Sequence, residues 1–321
     1  MIKQDLRIVF MGTPEFAVES LKALVEDGYN VVAVVTQPDK PVGRHGSVLQ
    51  ASQVKQYALA HNIPVLQPEK MKNEEFIEQL RSYQADLQVV VAFRMLPEVV
   101  WAMPRFGTFN VHASLLPQYR GAAPINWAVI NGETETGVTT FFLDHEIDTG
   151  RIILQEKMPI SLTDDVGTVY DKLMVKGAEI CKQTVNLVLE KGNDFPTREQ
   201  SETIVPLRPA PKIFKDTCRI DWSQKPKQIY DFIRGLSPYP GAWTMLTDSE
   251  GREYQLKVYK AELTDENDND NDNRITVKPY NHKLNGIPQG LQLLEVQLAG
   301  KKRMSMSDFL NGLRGSLNLS V

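Results

Sequence analysis

An asparagine and a histidine stand two residues apart in the stretch FNVHASLLPQYRG, which begins like a β-strand and continues as a loop. In a strand, Asn110 and His112 project to the same face, because successive side chains alternate between the two faces. An amide and an imidazole on one face can donate hydrogen bonds to an oxygen that becomes negative during attack on a carbonyl. Two polar residues that simply close a strand, with the histidine bonded to a backbone carbonyl, would give the same pattern.

A carboxylate follows 36 residues after the histidine, at Asp148 in the turn-like stretch IDTG between two strand-like segments. If this turn and the loop after His112 meet at the same sheet edge, the carboxylate favours the imidazolium form and fixes the tautomer of the ring. Ser114 lies two residues from His112 but lacks the elbow motif of a nucleophilic serine. The pattern therefore indicates acyl transfer to an amine of the substrate, without a covalent enzyme intermediate.

These residues must be held by an α/β domain. Residues 6–11, 30–36 and 86–93 are short apolar runs, and helix-like segments separate them. Continuous apolar strands between helices predict an open, mostly parallel, Rossmann-like sheet covered on both faces, with its site beyond the carboxyl ends of the strands. The first turn, MGTPEF, has one glycine where a dinucleotide fingerprint needs three, so we expect no bound dinucleotide.

The chain divides by composition into three parts. Residues 1–191 form the predicted Rossmann-like catalytic domain, which one long helix over 165–191 closes. Residues 192–211 contain four prolines and predict a semi-extended linker. Residues 212–321 contain short strand-like runs separated by turn residues, and predict a small β-rich domain, an OB-like barrel. Its run DENDNDNDN lacks the glycine and the terminal glutamate of a calcium loop and predicts a solvated hairpin tip.

Composition excludes several classes of protein. No apolar stretch approaches the ~20 residues that cross a bilayer, so we expect no membrane partner. Cys181 and Cys218 lie in unrelated contexts and predict buried thiols in a reducing cytoplasm. The five histidines are scattered, and no cluster has metal-ligand spacing, so no metal is expected.

The net charge of −4 hides a difference between regions. Residues 1–210 carry 20 basic and 26 acidic side chains, whereas residues 211–321 carry 16 basic and 14 acidic ones. Five of those acids lie in the run DENDNDNDN. The remaining C-terminal surface is basic enough to neutralise phosphates, although for any single lysine a mixed-charge surface is the simpler explanation.

The segment NVHASLLPQYRGAAPINWAVINGETETGVT closely resembles the core of the folate-dependent formyltransferases, which share the Asn-x-His, SLLP and Asp features. Further segments are similar to the methionyl-tRNA formyltransferases within this superfamily and span nearly the whole chain: FMGTPEFAVESL, VTQPDKPVGR, IPVLQP, IRGLSPYPGAW and GKKRMSMSDFLNG. The last two lie in a C-terminal domain that single-domain relatives lack.

The resemblance implies transfer of the formyl group of 10-formyltetrahydrofolate to the free amino group of methionyl-initiator tRNA. It implies that Asn110 and His112 polarise the formyl oxygen and that Asp148 holds His112. The residues that would line the folate site are Ser114, Leu115, Leu116 and Pro117, together with Phe93, Arg94, Met95 and Leu96. The enzyme is expected to act in the cytoplasm as a monomer.

The resemblance also implies a tRNA-binding surface. Arg44 lies in DKPVGRHGSVLQ, which is similar to the family's tRNA-probing insertion, and Lys301, Lys302 and Arg303 would bind tRNA phosphates in the C-terminal domain. Three departures from the family pattern concern these contacts: Phe93-Arg94 replaces Tyr-Gly, Glu146 replaces a glycine, and the insertion is poor in lysine.

Two other functions remain compatible with the sequence. One is a folate-dependent formyltransferase that acts on a sugar amine or a nucleotide amine. The other is a non-catalytic RNA-binding relative, against which the intact Asn110, His112 and Asp148 count.

Overall fold

A seven-stranded sheet forms the framework of the first half of the chain in the computed structural model, which describes residues 1–42, 48–200, 205–264, 284–313 and 315–319. Its strand order is β5-β2-β1-β6-β7-β8-β9, and β3 pairs with β4 as a separate hairpin. The strands are β1 (Arg7–Gly12), β2 (Asn30–Val35), β3 (Lys40–Val42), β4 (Val48–Gln50), β5 (Val65–Leu66), β6 (Leu87–Val91), β7 (Thr108–His112), β8 (Glu135–Phe142) and β9 (Ile152–Pro159).

Five neighbouring strands of this sheet are parallel, as the continuous apolar runs predicted: β5, β2, β1, β6 and β7. Ile8, Val9, Phe10 and Met11 of β1 are all fully buried, which fits a strand that is covered on both faces. The last two strands, β8 and β9, are antiparallel to their neighbours. The predicted Rossmann-like, mostly parallel sheet is confirmed.

Eight α-helices connect or flank the strands of the described residues: α1 (Glu15–Glu26), α2 (Gln53–Ala60), α3 (Glu74–Ser82), α4 (Glu98–Trp101), α5 (Pro124–Ile130), α6 (Val166–Lys191), α7 (Pro226–Gly235) and α8 (Met306–Gly312). In α1, Phe16, Ala17, Leu21 and Leu24 are buried at helical spacing. The predicted long helix over 165–191 is confirmed as α6.

Gly12 permits the tight turn from β1 into α1. A Cβ at this position would lie 2.6 Å from the Ala17 Cβ and 2.9 Å from the Val91 carbonyl oxygen. The single glycine of the MGTPEF turn therefore serves the packing of the helix against the strand ends.

The chain forms two units, and α6 contributes to both. Unit 1 comprises Met1–Gly121, Glu135–Pro159 and Tyr170–Pro209, and unit 2 comprises Ala122–Thr134, Ile160–Val169 and Ala210–Val321. Unit 1 therefore contains the seven-stranded sheet and also residues 192–209, most of the stretch that composition marks as a linker.

Unit 2 contains a six-stranded half-barrel sheet, which confirms the predicted small β-rich domain. Its order is β12-β15-β10-β11-β13-β14, with strands β10 (Ala242–Asp248), β11 (Glu253–Leu263), β12 (Leu284–Asn285), β13 (Leu291–Leu298), β14 (Met304–Ser305) and β15 (Leu317–Leu319). Its core includes Trp222, whose indole N–H donates to the Thr244 hydroxyl at 2.9 Å. A buried indole needs such an acceptor, because an unpaired polar group in a core is costly.

A buried charge pair holds α7 within unit 2. The Arg234 guanidinium donates from Nε to Asp231 Oδ1 at 2.8 Å and from Nη1 to the Asp164 carbonyl at 2.8 Å. Both side chains are almost completely buried. Buried charges are stable only when paired and hydrogen-bonded, so this pair fixes the loop before α6 against α7.

The chain after α6 runs back along the outer edge of β9. Arg198 forms an antiparallel bridge with Ile152, in which the two backbone N–H groups donate at 2.8 and 2.7 Å. The Arg151 guanidinium donates to the Thr197 hydroxyl at 2.7 Å and to the Thr197 carbonyl at 2.9 Å. The backbone at Thr197 and Arg198 is therefore anchored to the sheet of unit 1.

Within the described ranges, none of the helices combines the length and the apolar character that crossing a membrane requires. The same ranges contain no group of three or more His, Cys, Asp or Glu side chains arranged to hold a metal ion.

Candidate active site after strand β7

His112 is the last residue of β7 and is only 6% exposed. Its Nε2 lies 2.9 Å from the carbonyl oxygen of Tyr119. Because a carbonyl oxygen can only accept, Nε2 carries a hydrogen in this arrangement. The other ring nitrogen, Nδ1, faces Asp148 and lies 3.8 Å from Oδ2. This distance is longer than a direct hydrogen bond but within the range of an ion pair when the ring is protonated.

Asp148 adopts a left-handed backbone conformation, with φ of 56°. Aspartate is one of the few residues other than glycine that adopt this conformation with some frequency. Its Oδ2 accepts a hydrogen bond of 2.9 Å from the backbone N–H of Gly121. The same carboxylate oxygen therefore faces both the imidazole and the loop that follows β7.

The loop that carries Asp148 reaches His112 by a route that differs from the expected one. Strand β8 runs antiparallel to β7, so its last residue, Phe142, pairs with Phe109, three positions before His112. The loop begins about 10 Å back along β7 and must return along the sheet to reach the end of β7. The two loops do meet, but the loop after β8 does not start at the carboxyl edge of the parallel strands.

Asn110 is half-buried and precedes His112 by two positions on the same strand. Its Oδ1 is buried and has no hydrogen-bond partner in the part of the chain that the structure describes. A buried acceptor without a partner costs about 1–3 kcal/mol. A ligand that donates a hydrogen bond here would remove that cost.

The SLLP loop is held from within. The Ser114 hydroxyl donates to the Gln118 carbonyl at 2.7 Å, and the Thr139 hydroxyl donates to the Ser114 carbonyl at 2.7 Å. The N–H of Leu116 donates to the Thr139 hydroxyl at 3.2 Å. Ser114 and Leu116 are buried, whereas Leu115 and Pro117 are half-buried. The half-buried pair offers apolar surface to a ligand, whereas the Ser114 hydroxyl is already engaged.

The loop after β6 contains the second set of residues expected at a folate site. Arg94 donates from Nη1 to the Glu69 carbonyl at 2.8 Å and from Nη2 to the Pro68 carbonyl, and burial lowers its pKa. Met95 is 69% exposed, whereas Leu96 is buried and Phe93 is half-buried. The guanidinium therefore binds the loop after β5, and Met95 is the open apolar side chain of this set.

The residues expected to bind tRNA differ in how they are engaged. Lys301 and Lys302 are exposed in the turn between β13 and β14. Arg303 is also exposed, but its Nη2 donates to Glu295 Oε2 at 2.9 Å, and its guanidinium lies 4.2 Å from the centre of the Tyr259 ring. Arg44 lies outside the described residues.

Three contacts of this site were missed by sequence reasoning. Two are backbone groups, the Tyr119 carbonyl and the Gly121 N–H, and backbone groups give no residue-type signal. The third is Gln200, whose carboxamide contacts the Asp148 turn from 52 positions further along the chain. Its position within a proline-rich stretch gave no indication of this contact.

Two family models match the chain. The model described as formyl transferase matches residues 6–185, and the model described as formyl transferase, C-terminal domain, matches residues 212–314. The two matched regions lie within the two predicted domains, and the division of the chain at 191 and 212 stays a prediction.

Solved structures of similar fold have low sequence identity. HypX from Aquifex aeolicus, in complex with tetrahydrofolic acid, has a TM-score of 0.62 and 17% identity and covers 98% of this chain and 48% of its own. WlaRD, a sugar 3N-formyl transferase, has a TM-score of 0.57 and 21% identity and covers 81% of this chain and 87% of its own. At these identities the likeness supports the fold alone.

Curated relatives are much closer in sequence. The methionyl-tRNA formyltransferase of Parabacteroides distasonis is 63% identical over 316 residues, which are 98% of each chain. The methionyl-tRNA formyltransferase of Phocaeicola vulgatus is 61% identical over 326 aligned positions that cover all of both chains. With such identity along its whole length and both formyl transferase regions present, the chain belongs to the methionyl-tRNA formyltransferase family.

Proposed function

We propose that the protein transfers the formyl group of 10-formyltetrahydrofolate to the α-amino group of methionyl-initiator tRNA. Membership of the family supports the reaction, and the activity for which its relatives are named supports the acceptor. The observation that carries the chemistry is the buried His112–Asp148 pair, with Asn110 two positions earlier on the same strand. The ring N–H and the amide N–H of Asn110 supply donors for an oxyanion, and the Asp148 carboxylate faces the ring.

In the proposed mechanism the neutral amine attacks the formyl carbon. The formyl oxygen becomes negative, and hydrogen bonds from the Asn110 amide and from His112 Nδ1–H stabilise it. The Nδ1 edge is the one that serves the substrate, because the Tyr119 carbonyl engages Nε2. The bond from the formyl carbon to N10 of the folate then breaks. N10 gains one proton and the former amine loses one, so charge is conserved.

We assign the folate site to two loops next to β6 and β7. Leu115, Pro117 and Met95 supply accessible apolar surface for a pterin ring, and Phe93 and Leu96 support that wall. Ser114 and Leu116 shape the loop through Thr139. Arg94 holds the neighbouring backbone at Pro68 and Glu69. Such sites are largely apolar with a few placed polar groups.

We assign tRNA binding to Arg44, Lys301, Lys302 and Arg303. Phosphate contacts from basic side chains give affinity without requiring base readout. We further propose that the enzyme acts in the cytoplasm as a monomer. The exposed basic side chains in the turn between β13 and β14 support the assignment of tRNA binding.

A formyl-transfer assay tests the acceptor. Purified protein is incubated with 10-formyltetrahydrofolate and either charged initiator tRNA, charged elongator methionyl-tRNA or a nucleotide-linked amino sugar. We expect rapid formylation of the initiator tRNA alone. Preferred formylation of the amino sugar would replace the proposed function with a sugar-amine transferase, and formylation of nothing would favour a non-catalytic RNA-binding protein.

The mechanism predicts that Asn110→Ala and His112→Ala each lower kcat about 100-fold to 1000-fold, the usual cost of a lost oxyanion donor. Asp148→Ala should also lower kcat by orders of magnitude, because the ring of His112 loses its carboxylate partner. Single-turnover kinetics measure the loss, and thermal unfolding checks that each variant is folded. His61→Ala is the matched control, because His61 is an exposed histidine at the end of α2. A variant of the three that keeps near-normal kcat would lose its assigned role.

A further inference from the structure

We propose that Gln200 is a positioning residue, which holds the turn of Asp148 and the loop after β7 in the arrangement that places the carboxylate beside His112. The inference rests on the proposed function, since it concerns the same site. It assigns a role in the reaction to a side chain from the stretch that composition marks only as a linker.

One carboxamide makes four hydrogen bonds to two loops. Its Nε2 donates to the carbonyl oxygens of Asp148 at 2.8 Å and Gly150 at 2.9 Å. Its Oε1 accepts from Nε of Arg120 at 3.1 Å and from Nη2 of Arg120 at 2.8 Å. Gln200 therefore links the turn after β8 to the loop after β7.

The residues on either side of Arg120 are the ones that contact the catalytic pair. The Tyr119 carbonyl accepts from His112 Nε2, and the Gly121 N–H donates to Asp148 Oδ2. A bond from Gln200 to Arg120 thus fixes the loop between its two contacts with the pair. The bonds from Gln200 to the Asp148 turn fix the other partner.

The Asp148 turn needs support from outside, because its backbone is in a sparsely populated conformation. Such conformations persist only when surrounding contacts determine them. The Gln200 amide group is held in place for this task, since the backbone at Arg198 is already bridged to Ile152. Loss of the Gln200 side chain therefore frees the turn without detaching the segment.

The test compares Gln200→Ala and Gln200→Glu with wild type in the full-length protein. Alanine removes all four bonds. Glutamate keeps an acceptor for Arg120 but turns a carboxylate oxygen toward two carbonyl oxygens, which repels the turn. We expect kcat to fall roughly 10-fold to 100-fold in both variants, the range expected when catalytic groups are misplaced by about 1 Å. Binding of 5-formyltetrahydrofolate, which does not react, measures the folate site alone, and we expect its dissociation constant to change by less than about 3-fold.

Gln118→Ala is the matched control. Gln118 is also half-buried, and its carboxamide joins the loop after β7 to the same later segment. Its contacts are the Arg208 N–H and the Pro206 carbonyl rather than the Asp148 turn. We expect its kcat to stay within about 3-fold of wild type. An equal loss in Gln118→Ala would mean that any link between these segments suffices, and the assignment to Gln200 would be wrong.

A double-mutant cycle with Asp148→Asn separates positioning from general stability. If Gln200 acts through the Asp148 carboxylate, Gln200→Ala should cost much less in the Asp148→Asn background than in wild type. A full, additive loss would overturn the inference, as would a parallel loss of folate binding. If wild type formylates another amine, the proposed function fails, and the same cycle on that amine still decides the role of Gln200. A wild type inactive toward every amine would end both proposals.

Discussion

The thiol of Cys181 lies in α6 and is completely buried. Burial raises its pKa from 9.0 to about 12, and the Ser20 side chain opposes only part of that increase. Tyr29 behaves similarly, since burial first and nearby acidic groups second raise the pKa of its phenol from 10.0 to about 12. Neither group belongs to the candidate site, so both report on the folded state alone.

These two groups predict alkaline destabilisation. The folded state keeps Cys181 protonated, whereas the unfolded state ionises it above about pH 9. The contribution of this thiol to the free energy of unfolding is therefore fully present below that pH and is lost progressively toward pH 12. Urea unfolding at pH 7, 9 and 10.5 measures the loss. The Cys181→Ala variant should have a shallower decline over the same range. An identical pH dependence in wild type and variant would contradict the buried-thiol explanation.

At the scale of secondary-structure elements, Gly150 closes the β8–β9 connection that carries Asp148. A Cβ at Gly150 would lie 1.7 Å from the Phe142 carbonyl oxygen, a backbone atom that cannot rotate away. The sheet would have to shift to accept any larger residue, and the turn would move with it.

We therefore predict that Gly150→Ala lowers both stability and kcat. Overpacking of this kind costs about 1–3 kcal/mol, which chemical denaturation can measure. Gly312→Ala is the control, because a Cβ there meets no described atom within 4 Å beyond its own helix backbone and chain neighbours, and the position ends α8. We expect that control to match wild type in both measurements. A Gly150→Ala enzyme with normal kcat would show that the turn tolerates displacement.

The elements themselves were largely predictable from sequence. Buried parallel strands are continuous apolar runs, as in β1 and β6. The alternation of side chains along a strand predicts that Asn110 and His112 share one face of β7. The route of the Asp148 loop was not predictable, because it depends on β8 running antiparallel. Gln200 and the backbone groups of Tyr119 and Gly121 were not predictable either, since loop contacts depend on tertiary structure rather than on local pattern. The roles of Asn110, His112 and Asp148 remain predictions.

At the scale of the whole molecule, charge is distributed by region. The turn between β13 and β14 presents Lys301 and Lys302 to solvent, whereas Glu295 and Tyr259 engage the neighbouring Arg303. A guanidinium that already has a carboxylate partner gains less from a phosphate than a solvated lysine does. The three basic residues should therefore contribute unequally to tRNA binding.

We predict that the double variant Lys301→Ala, Lys302→Ala raises KM for methionyl-tRNA roughly 3-fold to 10-fold and leaves the folate KM unchanged. The salt dependence of kcat/KM should also weaken by about one to two units of log–log slope, because up to two phosphate contacts are lost. Arg303→Ala should have the smaller effect. Unchanged tRNA kinetics in the double variant would exclude this turn from the tRNA-binding surface.

The bridge between Arg198 and Ile152 has a practical consequence for dissecting the protein. An expressed fragment that stops at the end of α6 would lose the backbone bridge that covers the edge strand β9 at Ile152. An exposed edge strand can pair with a strand of another chain, which promotes self-association. A catalytic fragment should therefore extend through Pro209, so that the same stretch that carries Gln200 also shields the sheet.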